Sequence, residues 1–295
     1  MLDSDALRTF AVFAEDTSLS GAARRLHLSQ PAVHAQLKRL SEEVGAPLYR
    51  RSGRGLVLTR EGADVAAFAR DVAERTDDLL ARVRGREVGA RVVLAAGAGA
   101  LLFILGDGMR AFTRERAERL DVVTADGRAA IDAVSAGTAH VGVAADPLPD
   151  DVEGHRLTDV PQVLVMPRDH RLAKRRRIAI ADLDGERLVL PPPGRPQRAT
   201  LDAAFTTRGI AVRAGALAVG WELVVHLVGV GAGIAIVNAS VRIPRGLVTR
   251  PVPELPKVRY TVFTRPSPRE SSAALLRLLV EHGRAWERRV GTISR

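Results

Sequence analysis

The sequence predicts a multi-domain α/β protein with a small helical N-terminal domain, a long linker helix and a two-lobed α/β domain. Three observations predict this class. Two short, serine-capped helical patterns lie close together near the start, a helix with regular apolar spacing follows them, and strands alternate with helices from residue 91 onward. The length of 295 residues also favours more than one hydrophobic core.

The N-terminal domain is expected over residues 1–58. Ser18 is placed to cap a short second helix, and Ser29 is placed to cap a third. The third helix has Pro31 in its first turn, where the missing N–H does no harm, and ends at Gly45. The segment PLYRRSGRGLVLT then predicts two strands joined by a turn. Two helices this close together, followed by a basic hairpin, indicate a winged helix-turn-helix whose third helix enters the DNA major groove.

A linker helix and hinge are expected over residues 59–89, with Thr59 as the helix cap. Apolar residues recur along this helix at intervals of four and three residues, as they do in a seam that pairs with a partner helix. The predicted dimerisation residues are Val65, Ala69, Val72, Thr76, Leu79 and Val83. The alternative is a helix that packs on its own domain.

The remainder of the chain predicts two lobes. Two crossing points assign residues 90–162 and 264–295 to lobe I and residues 163–263 to lobe II. Alternating strands and helices, including one helix over residues 100–117, predict parallel sheets with helices on both faces. A ligand is expected in the cleft between the lobes, beyond the carboxyl ends of the strands.

The formal charge of +10 favours polyanionic partners. Residues 18–60 contain eight lysines and arginines against two acidic residues, whereas residues 61–90 contain five arginines against seven acidic residues. This indicates a basic binding surface followed by a spacer. A second basic run, KRRR at residues 174–177, is typical of a solvated loop or sheet edge, with a second nucleic-acid contact as the alternative.

Composition also excludes some classes. The chain has no cysteine, which excludes disulfides and zinc–thiolate sites. The start, MLDSDALRTF, lacks a charged-then-apolar leader. The most apolar stretch, residues 215–241, carries Glu222 and His226, which a membrane span would bury at a cost, and it predicts a strand, a helix and a strand instead. We therefore expect a cytoplasmic protein without a membrane segment.

The third helix carries the residue types that read DNA. Gln30 can pair bidentately with adenine, and His34, one turn later, can donate to or accept from a base edge. Ser29 and the helix N-terminus suit a phosphate, and Lys38, Arg51 and Arg54 suit the backbone or the minor groove. Pro31 at the helix start is a further contact candidate. The alternative is that these side chains only cap and solvate an exposed face.

Signals of an enzyme are poor. The seven histidines never occur four residues apart, so no metal-binding helix is indicated. Neither a nucleophile elbow nor a phosphate-binding loop occurs, and GVGAG at residues 229–233 follows a helix, which is the wrong order for pyrophosphate binding. We expect no enzymatic activity, no metal and no cofactor.

The N-terminal sequence resembles that of the LysR-type transcriptional regulators. The matching positions are Leu7, Phe10, Ser18, Ala22, Ala23, Leu26, Ser29, Gln30, Pro31, Ala32, Val33, Leu40, Gly45, Pro47, Leu48, Arg51, Leu58, Thr59 and Gly62. The resemblance implies a periplasmic-binding-protein-like effector domain and a homodimer or homotetramer on a promoter inverted repeat. It also implies a small-molecule effector, and RNA polymerase is a further candidate partner.

The chain departs from the family pattern at several positions. His34 stands where serine is usual, and the first effector turn reads GAGA without side-chain hydroxyls. The effector-binding candidates are Gly97, Ala98, Gly99, Ala100, Asp126, Arg195, Gln197, Arg198 and Trp221. The rival interpretation is a solute-binding or architectural protein that binds DNA without sequence specificity.

Overall fold

The computed structural model describes residues 2–53, 55–83 and 91–293. Its helices are α1 (Ser4–Asp16), α2 (Leu19–Leu26), α3 (Gln30–Val44), α4 (Arg60–Val83), α5 (Ala98–Phe103), α6 (Gly106–Glu115), α7 (Gly127–Ser135), α8 (Pro196–Arg208), α9 (Trp221–Gly229) and α10 (Glu270–Ile293). Its strands are β1 (Tyr49–Ser52), β2 (Gly55–Leu58), β3 (Arg91–Ala96), β4 (Arg119–Thr124), β5 (Val141–Ala144), β6 (Glu153–Val160), β7 (Gln162–Pro167), β8 (Arg187–Leu190), β9 (Arg213–Leu217), β10 (Ala235–Asn238), β11 (Leu247–Pro251) and β12 (Val258–Thr264). Short 3-10 helices cover Arg171–Lys174 and Ile180–Leu183.

The N-terminal domain, called the head below, has its own hydrophobic core. Phe10, Phe13 and Leu37 are fully buried where α1 meets α3 and the first half of α4. The ring of Phe13 also meets the ring of Tyr49 edge to face, with centroids 5.3 Å apart. This contact ties the β1–β2 hairpin to α1, so the wing has a fixed place beside α3.

The helix ends in the head follow the expected capping chemistry. Ser18 accepts a backbone N–H at the start of α2 at 3.0 Å, and Ser29 does the same for α3 at 3.3 Å. Thr59 accepts a backbone N–H at the start of α4 at 2.9 Å. Gly45 ends α3 with φ at 77°, a conformation that glycine adopts without strain. These boundaries confirm the predicted helix-turn-helix.

The first half of α4 belongs to the head. Ala69 is buried in the head core and Val65 packs against it. Ala69 therefore faces the head of the same chain and is not open to a partner helix, whereas the half-buried Val65 stays a predicted dimerisation residue. Farther along α4, the side chains of Leu79 and Val83 are 52% and 74% exposed.

Lobe I is built on a five-stranded sheet in the order β4-β3-β5-β12-β6. The first three strands run parallel, and β12 is antiparallel to both β5 and β6. Because β12 belongs to this sheet, lobe I comprises residues 91–160 and 258–293, and the predicted return crossing at residue 264 is corrected to a point before β12. The sheet is mixed rather than parallel, because β12 enters from lobe II without a crossover helix.

Lobe II, residues 162–257, has an analogous sheet. β10, β7 and β11 pair antiparallel, and β8 and β9 pair parallel. A bridge between Leu188 and Ile234 joins the two parts. The order is therefore β9-β8-β10-β7-β11, which is again mixed. Residues 213–238 form β9, α9 and β10, which confirms the predicted strand, helix and strand.

The helix predicted over residues 100–117 is broken into α5 and α6. The break places Gly108 of α6 against α10, where an added Cβ would lie only 2.8 Å from a methyl carbon of Leu279. This close approach requires glycine and a change of chain direction after α5, which the apolar spacing does not reveal. No helix of the described residues is long and apolar enough to cross a membrane.

Candidate nucleic-acid interface and interlobe cleft

Three residues connect α2 to α3. His27 closes α2 in the left-handed conformation, with φ at 55°, and Ser29 is extended and caps α3. Pro31 follows in the first turn of α3. This short, doubly capped turn fixes the angle between the two helices, and α3 begins at an exposed Gln30.

One face of α3 is core and the other is open. Val33, Leu37 and Leu40 are fully buried on the inner face. The outer face is exposed and is formed by Ser29, Gln30, Pro31, His34 and Lys38; this set is called the reading face below. The ammonium of Lys38 lies 3.8 Å from the Glu42 carboxylate, but both side chains are largely exposed, so the pair is weak and the cation is available to a phosphate.

Other members of the basic block are already engaged within the head. Arg39 pairs with Asp3 at 2.9 Å and with Glu43 at 3.1 Å. Arg25 pairs with Glu15 at 2.7 Å. These arginines hold helices together and have less to offer to DNA, so the charge of residues 18–60 overstates the cations available for binding.

The wing carries its cations on both faces. The register pairs Tyr49 with Leu58 and Arg51 with Leu56, and the side chains of Tyr49, Leu56 and Leu58 pack on the head core. Arg51 therefore shares the face that points toward the helices and is exposed near the tip, whereas Arg50 lies on the opposite face. Arg54, the remaining predicted contact in the wing, lies outside the described residues.

Two exposed cations were not singled out from the sequence. Arg24 in the last turn of α2 and Arg50 in β1 have no carboxylate within ion-pair distance among the described residues. The alternation of the hairpin could have identified Arg50, because it must face away from Tyr49. Arg24 is next to Arg25, which pairs with Glu15. The sequence alone does not show which of the two arginines has a carboxylate partner.

The interlobe cleft is filled by side chains of the chain itself. The indole of Trp221 from lobe II lies on Gly99 of lobe I, where an added Cβ would collide with Cδ1 and would lie 2.9 Å from Nε1. Phe103 of lobe I packs against the apolar cluster of lobe II that includes Val224 and Val237. The turn Gly97–Ala100 and Trp221, both effector-binding candidates, thus meet across the cleft, where the indole takes the space beside Gly99.

An ion pair bridges the same cleft. Arg195 of lobe II donates to Asp126 of lobe I at 2.9 Å. Asp126 also caps α7 by accepting the backbone N–H of Ala129 at 3.0 Å. The Ala129 N–H and the Arg195 guanidinium together hold the pKa of Asp126 below its usual value.

Two other predicted effector contacts are engaged within lobe II. Gln197 donates to the carbonyl of Ile236 at 3.1 Å. Arg198 pairs with Asp202 at 2.8 Å and donates to the carbonyl of Pro191 at 3.0 Å. Both side chains stabilise the start of α8 and are not directed to a free ligand position.

Two family models match the chain. A model described as "Bacterial regulatory helix-turn-helix protein, lysR family" matches residues 4–63, and one described as "LysR substrate binding domain" matches residues 85–285. The second match alone covers more than half of the sequence. The chain belongs to the LysR family. It is a LysR-type DNA-binding transcriptional regulator with an effector-binding domain.

Known LysR-family proteins resemble the chain over nearly its full length. The RuBisCO operon transcriptional regulator of Allochromatium vinosum is 30% identical over 270 residues, which cover 88% of this chain and 89% of the relative. The structure of full-length CbnR in complex with its target DNA is 25% identical with a TM-score of 0.55, and covers 97% of this chain and 100% of that one. Full-length OxyR of Pseudomonas aeruginosa, at 21% identity with a TM-score of 0.72 and coverages of 96% and 95%, shows the shared fold.

The hinge of this LysR-type regulator contains polar residues that the sequence did not single out as a group. Asn238 of lobe II donates to the Tyr260 hydroxyl of lobe I at 2.9 Å. Burial raises the pKa of Tyr260 to about 12, so it stays a neutral hydroxyl. Nearby, Asp146 lies against Gly127, and burial together with the Asp126 charge raises the pKa of its carboxyl. Asp126, an effector-binding candidate, therefore has a second carboxyl group, that of Asp146, close to it.

The linker helix of the regulator also contacts lobe I. Arg75 of α4 donates to the carbonyl of Ser267 at 3.1 Å, and Arg70 donates to the carbonyl of Ala136. A groove of about 270 Å³ between α4 and lobe I is lined by Phe68 among other residues. These contacts connect the effector domain to the helix that carries the head.

Proposed function

We propose that the regulator recognises promoter DNA through the reading face of α3. Gln30 and His34 contact base edges in the major groove, Ser29 and Lys38 contact phosphates, and Arg51 of the wing grips the adjacent backbone. Because the target is genomic DNA, we place its action in the cytoplasm.

The observation that carries this proposal is the contrast between the two faces of α3. Val33 and Leu37 are fully buried while Gln30, His34 and Lys38 on the opposite side are exposed. An exposed helix face with bidentate and basic side chains, beside a basic hairpin, matches the shape and chemistry of a major groove. The target-DNA complex of CbnR supports the same use of the fold.

We further propose that two copies pair through the second half of α4 and present two heads to an inverted repeat. The support is the exposure of Leu79 and Val83, which continue a four-and-three spacing from Val72 and Thr76. Apolar side chains this exposed on a long helix are stabilised when a second helix covers them. A homotetramer would join two such dimers.

The small-molecule effector is proposed to bind where Trp221 now lies on Gly99. An effector of this kind must displace the indole, and it shifts the protein only if it favours one arrangement of the lobes over another. The contacts of Arg70 and Arg75 with lobe I give such a shift a physical route to α4. A solved LysR-type relative, LysG of Corynebacterium glutamicum, holds the effector Arg.

The test is to incubate the purified protein with sheared DNA from its source organism and to sequence the bound fragments at two salt concentrations. Specific recognition predicts a few enriched intergenic sites that share an inverted repeat and persist at the higher salt. Diffuse recovery that disappears with salt would contradict sequence-specific recognition, because counterion release weakens sequence-independent contacts steeply. That result would favour the architectural alternative.

A further inference from the structure

The positive charge of the regulator is concentrated in lobe II. Residues 162–257 contain fifteen lysines and arginines against seven aspartates and glutamates, a formal charge of +8 out of +10 for the whole chain. The DNA-binding head, residues 1–58, contains eight against six. Lobe I with the chain that follows it to each side, residues 91–161 and 258–295, contains fifteen against fourteen. The most cationic part of the molecule is therefore not the part that reads DNA.

Four of the seven acidic residues of lobe II are paired with arginines. The pairs are Arg171 with Glu186 and Arg175 with Asp182, together with Arg198 with Asp202 and Arg208 with Glu254. Among the described residues, Arg168, Lys174, Arg176, Arg177, Arg242 and Arg245 are exposed and have no carboxylate within ion-pair distance. The excess charge of the lobe is thus carried on its surface by cations that are not neutralised locally.

Several of these cations lie along one edge of the lobe II sheet. The strand β11 is the edge strand, and the run at residues 174–177 follows its outer side, held there by two bonds from Arg250 to the carbonyls of Ala173 and Arg175, each at 2.6–2.7 Å. The N–H of Ile178 then bonds the carbonyl of Pro251 at 2.9 Å. The basic run is therefore fixed in place and is not a loose loop.

The other end of the same edge is also basic. The N–H of Arg168 bonds the carbonyl of Gly246 at 3.1 Å, which places Arg168 beside the loop that contains Arg245. The strand β11 between the two ends has five residues and spans ~13 Å. Along one strand of a duplex that length passes roughly four phosphates. Arg168 and Arg245 at one end, with Lys174, Arg176 and Arg177 at the other, are called the β11 edge below.

We propose that the β11 edge is a second DNA-contact surface, which binds the phosphate backbone outside the operator segment read by the head. A row of exposed cations on a fixed backbone, without ion-pair partners among the described residues, matches a phosphate backbone. An interface for an acidic protein would instead carry a central apolar or aromatic cluster, and the run at residues 174–177 contains none. The proposal uses the DNA binding of the head only to bring the duplex near, and the two contacts are tested separately.

The experiment compares full-length variants on random-sequence duplexes of two lengths, about 20 and about 60 base pairs, with affinity measured by fluorescence anisotropy as salt is varied. The test variant is Arg176→Gln/Arg177→Gln. The matched control is Arg110→Gln/Arg114→Gln, which removes the same charge from the exposed surface of α6 in lobe I. A second test variant, Arg168→Gln/Arg245→Gln, removes two cations from the other end of the β11 edge.

Log affinity falls linearly as log salt concentration rises, and each lost phosphate contact makes this fall less steep by ~0.9. On the long duplex we expect each test variant to lower the slope by ~1–2, so that its affinity deficit is roughly tenfold larger at about 50 mM than at about 200 mM salt. Once the head is bound, the short duplex leaves fewer phosphates for a second contact, so there the test variants should lose less of the slope than on the long duplex. The control should follow the parent on both duplexes.

Equal slopes for the test variants and the parent on the long duplex would overturn the proposal, whatever the head does. Equal losses in the test and control variants would also overturn it, because total charge rather than the β11 edge would then be responsible. Unchanged DNA binding with reduced transcription in a reconstituted reaction would assign the edge to a protein partner instead.

Discussion

The head exposes its ligand-binding side chains to solvent, whereas the side chains of the interlobe cleft contact each other. On the reading face of α3, Gln30 and His34 are exposed and Lys38 has only a weak surface partner. In the cleft, Trp221 lies on Gly99, and Arg195 and Asp126 bond each other across the gap. The head is therefore ready for its ligand, while the cleft must break contacts of its own before it can accept one.

This difference means that DNA affinity depends on the head, whereas the response to an effector depends on the opening of the cleft. A surface that is fully formed before binding loses little free energy in ordering side chains, so the head can bind DNA without a preceding change. A cleft occupied by its own indole reduces the apparent affinity of any effector by the fraction of time for which it is open. Substitutions in the head should therefore alter DNA binding, and substitutions in the cleft should alter the response to an effector.

The largest expected effect concerns the separate core of the head. Replacing the fully buried Phe10 by alanine should destabilise the head by about 3–5 kcal/mol, because a cavity is left among Phe13 and its neighbours. Both tryptophans, Trp221 and Trp286, lie in the effector domain. Urea unfolding followed by circular dichroism should show an early transition of the head, while tryptophan fluorescence keeps the midpoint of the parent.

Phe68→Ala is the matched control for this measurement, since the Phe68 ring is 49% exposed. It should change the head transition by less than about 1 kcal/mol. If Phe10→Ala moved the fluorescence and dichroism transitions together, the head and the effector domain would form one cooperative unit, and the comparison between them would lose its basis.

Substitutions in the linker helix α4 test whether two copies of the regulator pair through this helix. Val72 is half-buried in its own chain at the start of the proposed second-half seam. Val72→Asp places a carboxylate there and should reduce the dimer to a monomer in light scattering, because a charge buried between two helices is costly. Ala73→Asp adds the same charge one residue away from the seam and should leave the mass unchanged. A dimer that survives Val72→Asp would remove α4 as the pairing element.

A substitution at Gly99 tests whether the indole of Trp221 occupies the cleft. Gly99→Ala introduces a Cβ that collides with the indole and should cost about 1–3 kcal/mol or displace the ring. We expect a red shift of tryptophan emission, because Trp221 becomes more exposed to water. Gly97→Ala is the control, since its Cβ would meet only the Ala125 carbonyl oxygen at 3.8 Å. Matching spectra for the two variants would mean that the indole does not lie on Gly99 in solution.

The smallest effect is expected for the ion pair across the cleft. Asp126→Asn keeps a helix-capping side chain but removes the charge, and should cost only about 0.2–1 kcal/mol because Arg195 and Asp126 are both about half exposed. The pKa of Asp126 is lowered in the folded state, so its contribution is present above the unfolded pKa of about 3.9 and is lost as pH falls through the lower folded value.

Thermal unfolding from pH 6 to pH 2 checks the sign of this effect. The stability difference between the parent and Asp126→Asn should shrink as the pH falls below about 4. A difference that is constant over this range, or that grows toward acid, would show that the Asp126 charge is not stabilised by Ala129 and Arg195.

The sequence predicted the head in detail because its signals are local. The caps at Ser18 and Ser29 and the stop at Gly45 act within one helical turn, so spacing alone places the helix ends. The reading face then follows from the apolar stripe on the other side of α3. The first half of α4 was less predictable, because a four-and-three spacing serves packing on α1 as well as packing on a second chain.

The cleft was less predictable because its contacts join distant residues. Trp221 and Gly99 are far apart in the chain, and nothing in either segment shows that they meet. The candidates Gln197 and Arg198 were selected by type and position, yet they bond the carbonyls of Ile236 and Pro191 within lobe II. Likewise the place of β12 in lobe I depends on strand pairing across the hinge, which the alternation of strands and helices does not determine.

The measurement that tests the account most directly is the affinity of Gln30→Ala for a mapped operator and for a random duplex, measured at the same salt concentration. Because Gln30 is exposed on the reading face and far from the core, the variant should fold normally. We expect the operator complex to weaken by about 1–3 kcal/mol, while binding to the random duplex changes little. An unchanged operator affinity, or an equal loss on both duplexes, would show that this face of α3 does not read the base sequence.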